Sequence, residues 1–489
     1  MPRNDADVLI VGAGVLGTSL ACHLLDRGVG RVMVLDAATP AAATSGAGAG
    51  FVGLWAAGYA HFLTAAELEL ERYSIGYYRA LPNADCLANG NLFLATTQDG
   101  WDRWVATVAR HPFAPPDIRQ LTPTEVAAIT GGVVAAGSVL GGVLHPGGIQ
   151  VSAGRATRAL AARVVDAGGQ AAERTRVTGL LSSGSRVTGI RTDAGSIRAQ
   201  TVVLACGAWT NDLLGDAGWR LPLLRMVATR VVSPPSAVPD TMPTIMVPDR
   251  YGLWLRAHRS GLTWGNGDGY APSFELDGPV FDSAGEPRPR HAVLLDRLLA
   301  GLGPDLRALI PGHDISVGWW LQGVPVMTPD RTFLAGPVPG ADGLYVVAGD
   351  NEMGVTHGPG LGRLMAEVIH AGGSDWVDAS RYRLERFEPG AFPDEKAVAT
   401  AMSARRLADD LPSSDQLTPR RPITPRWVSY LSHRQWQALS VPPALHPCRA
   451  AARPAPGAPG PGGWRCCPSA WSARRPHAGP SRGGVRHRP

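Results

Sequence analysis

Three glycines near the N-terminus have the spacing of a turn that binds a dinucleotide. An apolar run at residues 8–11 leads into Gly12, Gly14 and Gly17, and a helical pattern follows. In a strand–turn–helix of this kind the first glycine permits the tight bend, the second lets the backbone touch a pyrophosphate, and the third brings the helix close to the strand. The spacing therefore predicts a dinucleotide site.

A carboxylate completes this pattern about twenty residues further on. The second apolar strand, residues 32–35, ends at Asp36, where an acidic side chain can accept both ribose hydroxyls of a nucleotide without a ribose phosphate. Val15 and Leu16 begin the intervening helix, so their backbone amides are expected at the phosphates. The fingerprint does not distinguish FAD from NAD.

The composition narrows the function classes. A chain of 489 residues with 45% hydrophobic content is long enough for two cores. The net charge of +5 is unevenly distributed, because residues 1–400 carry 32 basic and 38 acidic side chains, a net charge of −6. We therefore expect no nucleic-acid partner.

No apolar run approaches the roughly 20 residues of a bilayer helix, which predicts no membrane span and a cytoplasmic location. The six cysteines have no metal-ligand spacing, so no metal site is expected.

Alternating strand and helix patterns predict an α/β fold, with a Rossmann-like nucleotide-binding domain and a discontinuous, sheet-rich α+β substrate domain. We assign residues 1–90, 142–220 and 323–395 to the nucleotide-binding domain and residues 91–141 and 221–322 to the substrate domain. Residues 142–148 are predicted to form a loop. Residues 398–489, rich in Pro, Arg, Gly and Ala, are predicted to be a disordered tail.

Five stretches of the chain resemble the D-amino-acid-oxidase-like flavoproteins, a family that includes glycine oxidase, sarcosine oxidase and dimethylglycine dehydrogenase. The resemblance covers residues 6–385. It implies FAD as the cofactor, hydride transfer from the carbon beside nitrogen to the flavin, and hydrolysis of the resulting imine in water. The stretches are residues 12–36, 44–50, 202–209, 327–336 and 348–367.

The resemblance also implies which further residues contact the cofactor. The last stretch is expected to place backbone amides and a helix N-terminus at the carbonyl end of the flavin, where the reduced ring carries negative charge. The implied contacts are Thr44, Ser45, Gly50, Val177, Gly207, Trp209, Asp330, Gly349, Asn351, Met353, Gly354, Val355 and Thr356.

Two departures from the family pattern concern the flavin. Residues 323–327 lack the cysteine that tethers flavin in sarcosine oxidase relatives, and Ala47 stands where dimethylglycine dehydrogenase relatives have a tethering histidine. The FAD is therefore expected to be non-covalent. Sarcosine oxidase relatives resemble one another in using a lysine over the flavin to activate oxygen. The only lysine here, Lys396, lies after the predicted fold has closed, so another group must take that role. His357 is the candidate substitute, beside ordered water, a non-oxygen acceptor, or a purely structural role for this histidine.

A third departure concerns the substrate carboxylate. Glycine oxidase relatives have an arginine before the proline that leads into Thr-Pro-Asp, whereas Val324 precedes Pro325 here. Arg256 is the candidate clamp, and a solvent-facing arginine on an edge strand is the alternative. Tyr59, His61 and Trp320 are candidates for lining the pocket or for ordinary packing.

These expectations combine into a predicted function. It is FAD-dependent oxidation of the C–N bond of an amino acid or N-substituted glycine, with oxygen or another electron acceptor as second substrate. The alternatives are a dehydrogenase or demethylase that passes electrons to a non-oxygen acceptor, and a non-catalytic flavoprotein subunit. A flavin monooxygenase or NAD-linked enzyme would need a second glycine fingerprint, which the sequence does not show in a plausible context. The amine and the oligomeric state stay open.

Overall fold

Two large β-sheets organise the residues that the computed structural model describes, which are 5–53, 64–110, 114–250, 252–277 and 290–409. The strands are β1 (Asp5–Val11), β2 (Val32–Leu35), β3 (Phe51–Val52), β4 (Asn91–Ala95), β5 (Arg119–Leu121), β6 (Gly141–His145), β7 (Ile149–Gln150), β8 (Gln170–Ala172), β9 (Val177–Ser183), β10 (Arg186–Thr192), β11 (Gly195–Leu204), β12 (Leu224–Val232), β13 (Thr244–Val247), β14 (Leu253–His258), β15 (Gly261–Gly265), β16 (Tyr270–Pro272), β17 (Trp319–Gly323), β18 (Val326–Met327), β19 (Leu334–Pro337) and β20 (Leu344–Ala348).

The helices separate the strands of the first sheet and flank the second. They are α1 (Val15–Asp26), α2 (Thr44–Ala47), α3 (Ala65–Ala80), α4 (Gln98–Gly100), α5 (Ala106–Ala109), α6 (Pro123–Ile129), α7 (Ala153–Asp166), α8 (Thr210–Leu214), α9 (Ala292–Leu309), α10 (Gly354–Ala371) and α11 (Glu395–Asp409), with a π-helical turn, Trp101–Val105, between α4 and α5.

The first sheet has the parallel centre of a Rossmann-like fold. Its order is β19-β20-β11-β1-β2-β8, with β10 paired to β11 and β9 paired to β10, both antiparallel. Strand β1 pairs in parallel with both β2 and β11. Because side chains alternate along a strand, Val8 and Ile10 pack into the layer of α1, α7 and α10. Leu9 and Val11 pack on the other face. The predicted fold class is confirmed.

Glycines let α10 approach its two neighbours in this layer. A Cβ on Gly358 would lie 3.0 Å from the Val15 side chain, and a Cβ on Gly362 would lie 2.7 Å from the Ser19 backbone, both in α1. On the opposite side, a Cβ on Gly360 would lie 2.4 Å from the Leu70 carbonyl oxygen in α3. This close packing fixes the start of α10 beside the start of α1.

Helix α10 also contains a proline, and α3 compensates for it. Pro359 has no N–H for the Val355 carbonyl one turn earlier, and a buried carbonyl without a partner is costly. The Tyr78 hydroxyl of α3 donates to that carbonyl at 2.8 Å. The N–H of Gly360 donates to the Ser74 hydroxyl at 3.0 Å. The first turn of α10 is therefore held by α3 as well as by its own backbone.

The second sheet is mostly antiparallel. Its order is β16-β12-β15-β14-β13-β4-β6-β5, and β17 and β18 also pair with β12. Strands β14 and β15 form a hairpin, joined through Arg259 and Ser260 at φ 52° and 61°. Both φ values are left-handed, as in the primed turns that suit hairpins. Helix α9 covers this sheet with Leu298 and Leu302.

Two segments differ from the predicted organisation of the sheets. Residues 142–148 were expected to form a loop, but their first half belongs to β6, which pairs with β4 and β5 in the second sheet. A Cβ on Gly142 would lie 2.8 Å from the Phe93 carbonyl oxygen, so this glycine serves close strand packing and not a turn. Strand β18 also joins the second sheet, inside the segment 323–395 that was assigned to the nucleotide-binding domain.

The predicted disordered tail begins too early. Helix α11 extends to Asp409, and its Val398 and Met402 are buried against Leu224 and Met226 of β12. These two side chains lie four residues apart, which places them on one helix face. Residues 410–489 lie outside the described residues. Within the described part of the chain, no helix is long and apolar enough to cross a bilayer.

Candidate functional site

One cavity of about 550 Å³ connects the glycine turn after β1, the start of α10 and the strands of the second sheet. The end at Gly12, Gly14 and Asp36 is called the dinucleotide end below. The end lined by β12, β13, β14 and β16 is called the substrate end. The loop of residues 349–353, which precedes α10, lies between them.

The dinucleotide end depends on the absence of side chains. Gly12 has φ 110°, and a Cβ there would lie 2.3 Å from the Ala205 carbonyl oxygen. A Cβ on Gly17 would lie 2.1 Å from the Gly12 carbonyl oxygen. Gly17 does not line the cavity and instead lets α1 pack against the turn, which is the role expected of the third glycine.

Polar side chains fix the position of this turn. The Asp36 carboxylate accepts hydrogen bonds from the N–H of Ala13 and the N–H of Ala38, both at 2.8 Å. The Ser45 hydroxyl accepts one from the N–H of Val15 at 3.0 Å. Gly14, the residue before α1, has no side chain to cap the helix. Ser45 takes the N–H of Val15, and the later N–H groups of the first turn of α1 face an anion in the cavity.

The dinucleotide end is also lined by Val177 and by residues 205–209, which follow β11. The Cys206 thiol donates to the Val11 carbonyl at 3.3 Å. Burial raises the pKa of this thiol well above its usual range, so it stays protonated and is a poor nucleophile.

The loop before α10 has an unusual backbone. Asn351 and Glu352 are consecutive residues in the left-handed region, at φ 46° and 67°. The Asp350 carboxylate accepts hydrogen bonds from the N–H of Val326 at 3.0 Å and the N–H of Glu352 at 2.9 Å. The Asn351 side-chain oxygen accepts another from the N–H of Thr328 at 2.9 Å. These bonds hold a conformation that costs of order 1–3 kcal/mol per residue.

Helix α10 begins at the cavity without a side-chain cap. Met353 precedes the helix and supplies no capping hydrogen bond. Gly354, Val355 and Thr356, which form the first turn, all line the cavity. The positive end of the helix dipole therefore faces the same space as the N-terminus of α1.

The substrate end contains both apolar and charged groups. Met246 and Trp254 line it, and the Trp254 ring lies 5.7 Å from the Phe51 ring, edge to face. Arg230 lines it too, and its guanidinium donates to the Thr263 hydroxyl at 3.2 Å. The lining residues from the second sheet and its connections are Ala228, Thr229, Arg230, Met246, Gly252, Trp254, Asn266, Gly267, Tyr270, Gly323, Pro325 and Met327.

Two acidic groups lie at the junction with the loop. Glu352 is accessible from the cavity, yet desolvation is the main influence on its carboxyl and raises its pKa to about 8. A hydrogen bond with Tyr270 partly opposes that shift. Desolvation also raises the pKa of Asp350 to about 6, against hydrogen bonds from backbone N–H groups. Both carboxyls thus titrate nearer neutrality than exposed ones.

The family model of the FAD dependent oxidoreductases, DAO, matches residues 7–368. The chain belongs to this family. Glycine oxidase of Pseudomonas aeruginosa is 28% identical over 393 residues, which cover 77% of this chain and 97% of that protein. 4-Methylaminobutanoate oxidase (formaldehyde-forming) of Paenarthrobacter nicotinovorans is 28% identical over 395 residues, 78% of this chain. The chain spans only 45% of the length of that oxidase.

Solved structures agree with the family assignment at the level of the fold. The crystal structure of glycine oxidase from Geobacillus kaustophilus has a TM-score of 0.65 and 24% identity, over 78% of this chain and 99% of that one. The crystal structure of L-proline dehydrogenase from P. horikoshii has the same TM-score at 20% identity, over 78% and 98% of the two chains.

The residues of this flavoprotein fit FAD. The glycine turn leaves room for a pyrophosphate, and Asp36 lies where a ribose binds. The N-termini of α1 and α10, whose preceding residues supply no side-chain cap, suit the two parts of the cofactor that carry negative charge. These are the pyrophosphate at α1 and the carbonyl end of the ring at α10. One cavity joins all of them.

Most of the cofactor contacts implied by the family resemblance line this cavity. They are Gly12, Gly14, Val15, Leu16, Asp36, Thr44, Ser45, Gly50, Val177, Gly207, Trp209, Asn351, Met353, Gly354, Val355 and Thr356. Besides Gly17, two others do not. The Asp330 carboxylate binds the Arg386 guanidinium at 2.7 Å, and Gly349, at φ 69°, shapes the loop because a Cβ there would lie 2.5 Å from the Thr328 methyl.

The candidate carboxylate clamp is not at the cavity surface. Arg256 is 4% exposed and does not line the cavity. Its guanidinium donates to the carbonyl of Ala49 and, at 2.9 Å, to the carbonyl of Ala257. Ala49 itself lines the cavity, so Arg256 supports the segment of residues 48–50 from behind. Because the guanidinium is buried behind the cavity wall, a substrate carboxylate in the cavity would not reach it.

The other four candidates for the substrate pocket either do not line the cavity or lie outside the described residues. His357 is fully buried, with its ring edge-to-face against Phe333 at 5.8 Å, and it does not line the cavity. It lies in α10 after the three residues that reach the cavity, and burial lowers its pKa to about 4. Trp320 packs at the core beneath the second sheet, with Arg290 5.0 Å from its ring centroid. Tyr59 and His61 lie outside the described residues.

Sequence reasoning missed Arg230, Tyr270 and Glu352. The signal for Glu352 was present, because Asp350 and Glu352 are two acids in a loop already expected at the flavin. No local signal separated Arg230 from Arg256, since both are arginines within apolar strands. Tyr270 follows a short turn after β15, and only the pairing of β16 with β12 brings it to the cavity.

Proposed function

We propose that this flavoprotein oxidises the C–N bond of an amino acid or N-substituted glycine. The observation that carries the proposal is one cavity with two kinds of lining. The start of α10, which has no side-chain cap, lines one part, and apolar and charged side chains from the second sheet line another. Related glycine and 4-methylaminobutanoate oxidases support the same class of substrate. A cofactor-binding scaffold without catalysis would not need a charged compartment beside the cofactor.

The chemistry that FAD supplies when bound is acceptance of a hydride from the carbon beside the substrate nitrogen, after which the imine hydrolyses in water. The chain's part is to orient the amine and exclude water. Met246, Trp254 and Phe51 give the cavity an apolar wall. The N–H groups of Gly354, Val355 and Thr356 favour negative charge at the carbonyl end of the ring.

We assign the substrate carboxylate to Arg230 in place of Arg256. Arg230 lines the substrate end on β12, and its guanidinium is oriented by the Thr263 hydroxyl. A guanidinium in a cavity with little water binds a carboxylate through charge-assisted hydrogen bonds. This assignment favours substrates that carry both an amine and a carboxylate.

We further propose that FAD is held without a covalent bond. The positions compared with tethering residues are occupied by Ala47 and Met327, which both line the cavity. Among the described lining residues the one cysteine is Cys206, at the dinucleotide end, and its thiol is protonated. Acid precipitation should therefore release all yellow colour into the supernatant. Flavin retained on the precipitate would contradict the proposal.

Mixing the purified holoprotein with candidate amines in the absence of oxygen tests the function directly. Amino acids and N-alkyl glycines should bleach the flavin absorbance, and matched hydroxy acids should not. Readmitting air separates an oxidase, which recovers its colour at once, from a dehydrogenase that needs another acceptor. Failure of every amine to bleach the flavin would favour the non-catalytic alternative. The predicted cytoplasmic location stays a prediction that cell fractionation would test.

A further inference from the structure

Glu352 is placed at the junction of the two ends by a backbone conformation that glutamate rarely adopts. It is the second of two consecutive left-handed residues, and neither Asn351 nor Glu352 is a glycine. Strained backbone of this kind clusters at functional sites, where surrounding contacts maintain it. Here Asp350 binds the N–H of Glu352, and Asn351 binds the N–H of Thr328. The loop therefore uses two of its side chains to hold the third at the cavity.

The groups around Glu352 suit a carboxyl that changes charge. Tyr270, on β16, forms a hydrogen bond with it. Asp350 is the nearest like charge and disfavours its ionised form, whereas Arg331 favours it. Arg230 lines the same part of the cavity from β12. Among the described residues, two acids line the cavity at the junction, Asp350 and Glu352. Both oxygens of Asp350 accept backbone N–H groups, so Glu352 is the carboxyl that suits an ammonium.

We propose that the Glu352 carboxylate binds the substrate amine and accepts a proton from it, so that the site takes cationic amines and rejects isosteric ethers and alcohols. The inference rests on the amine oxidation proposed above, because only a neutral amine can release a hydride from its neighbouring carbon. In this step an N–H bond of the ammonium breaks, an O–H bond forms on Glu352, and the electron pair stays on nitrogen.

The proton affinity of Glu352 is compatible with this role. A general base works best when its pKa lies near the working pH, and desolvation raises the pKa of Glu352 to about 8. An ordinary exposed glutamate, with a pKa of about 4.3, would be a much weaker base for an ammonium. An ionised Glu352 also repels a carboxylate ligand that has no amine.

The first test uses methoxyacetate, which has the shape of N-methylglycine but an ether in place of the amine. Its affinity for the holoenzyme, followed by the change in flavin absorbance, should fall about tenfold as the pH rises from 7 to 9, because Glu352 ionises and repels the anion. Glu352→Gln should abolish this dependence. Glu352→Asp should keep it, and Glu275→Gln, at an exposed position outside the cavity, should behave as the wild type.

The second test uses reduction by an amine that bleaches the wild-type flavin. Glu352→Gln should slow bleaching about 100-fold at pH 8, while FAD content and melting temperature match those of the wild type. Bleaching and methoxyacetate binding that both keep wild-type values and pH dependence in Glu352→Gln would overturn this inference and leave the proposed function intact. A wild type that no amine bleaches would overturn the proposed function itself.

Discussion

At the dinucleotide end of the cavity, residues 12–17 and Asp36 lie within one strand–helix–strand unit, and their roles follow from local backbone geometry. At the substrate end, Arg230, Tyr270 and Glu352 come from separate parts of the chain and meet through strand pairing and a strained loop. The first end binds a part of the cofactor that does not react. In the function proposed above, the second end contacts the substrate.

The largest expected effect concerns the dinucleotide end. Gly12→Ala places a methyl group 2.3 Å from the Ala205 carbonyl oxygen at a φ that alanine disfavours. We expect loss of FAD from the purified protein and a large fall in melting temperature. Gly28→Ala is the matched control, since Gly28 also has positive φ but no atom within 4 Å of the added Cβ. It should cost about 1 kcal/mol and keep FAD. Equal FAD loss in both variants would contradict the steric explanation.

A smaller effect is expected at the substrate end. Arg230→Met should raise KM for a carboxylated amine by about 10- to 100-fold, or about 1.5–3 kcal/mol, with little change for the corresponding amide. Arg256→Met should instead weaken FAD binding, because Arg256 donates to the carbonyl of Ala49 and so positions a segment that lines the cavity. Steady-state kinetics and FAD titration distinguish the two. A selective rise in KM for Arg256→Met alone would restore the original candidate.

The smallest effect is a shift in pH dependence. Tyr270→Phe removes a hydrogen bond that lowers the pKa of Glu352. That pKa should therefore rise above about 8, and a larger fraction of Glu352 should be protonated at any pH near neutrality. The acidic limb of kcat/KM should move to higher pH while the maximum changes little. A limb that stays in place would show that the two side chains are not coupled.

The contrast between the two ends also explains what the sequence could predict. Gly17 and Asp36 were predictable because each acts on backbone within about thirty residues of itself. Gly12 was predictable from the tight turn that it permits, although its closest contact, the Ala205 carbonyl oxygen, comes from a distant strand.

The failures arose where distant strands meet. Gly142 was interpreted as a loop residue, whereas the Phe93 carbonyl of the neighbouring strand requires it. Arg256 and Arg230 have similar strand contexts, and only sheet register decides which guanidinium reaches the cavity. The position of Glu352 depends on the hydrogen bonds that the N–H groups of Val326 and Thr328 donate to Asp350 and Asn351. No periodic pattern in the sequence reveals these bonds.

Helix α11 has a practical consequence for shortening the chain. Besides burying Val398 and Met402, it supplies Glu395, whose carboxylate binds the Arg225 guanidinium at 2.6 Å. Its apolar face covers Leu224, Met226 and Met327, and Met327 also lines the cavity. Removing everything after the family match at residue 368 would leave these side chains in water and loosen one wall of the flavin compartment. A trimmed version for crystallisation should therefore keep residues up to at least 409.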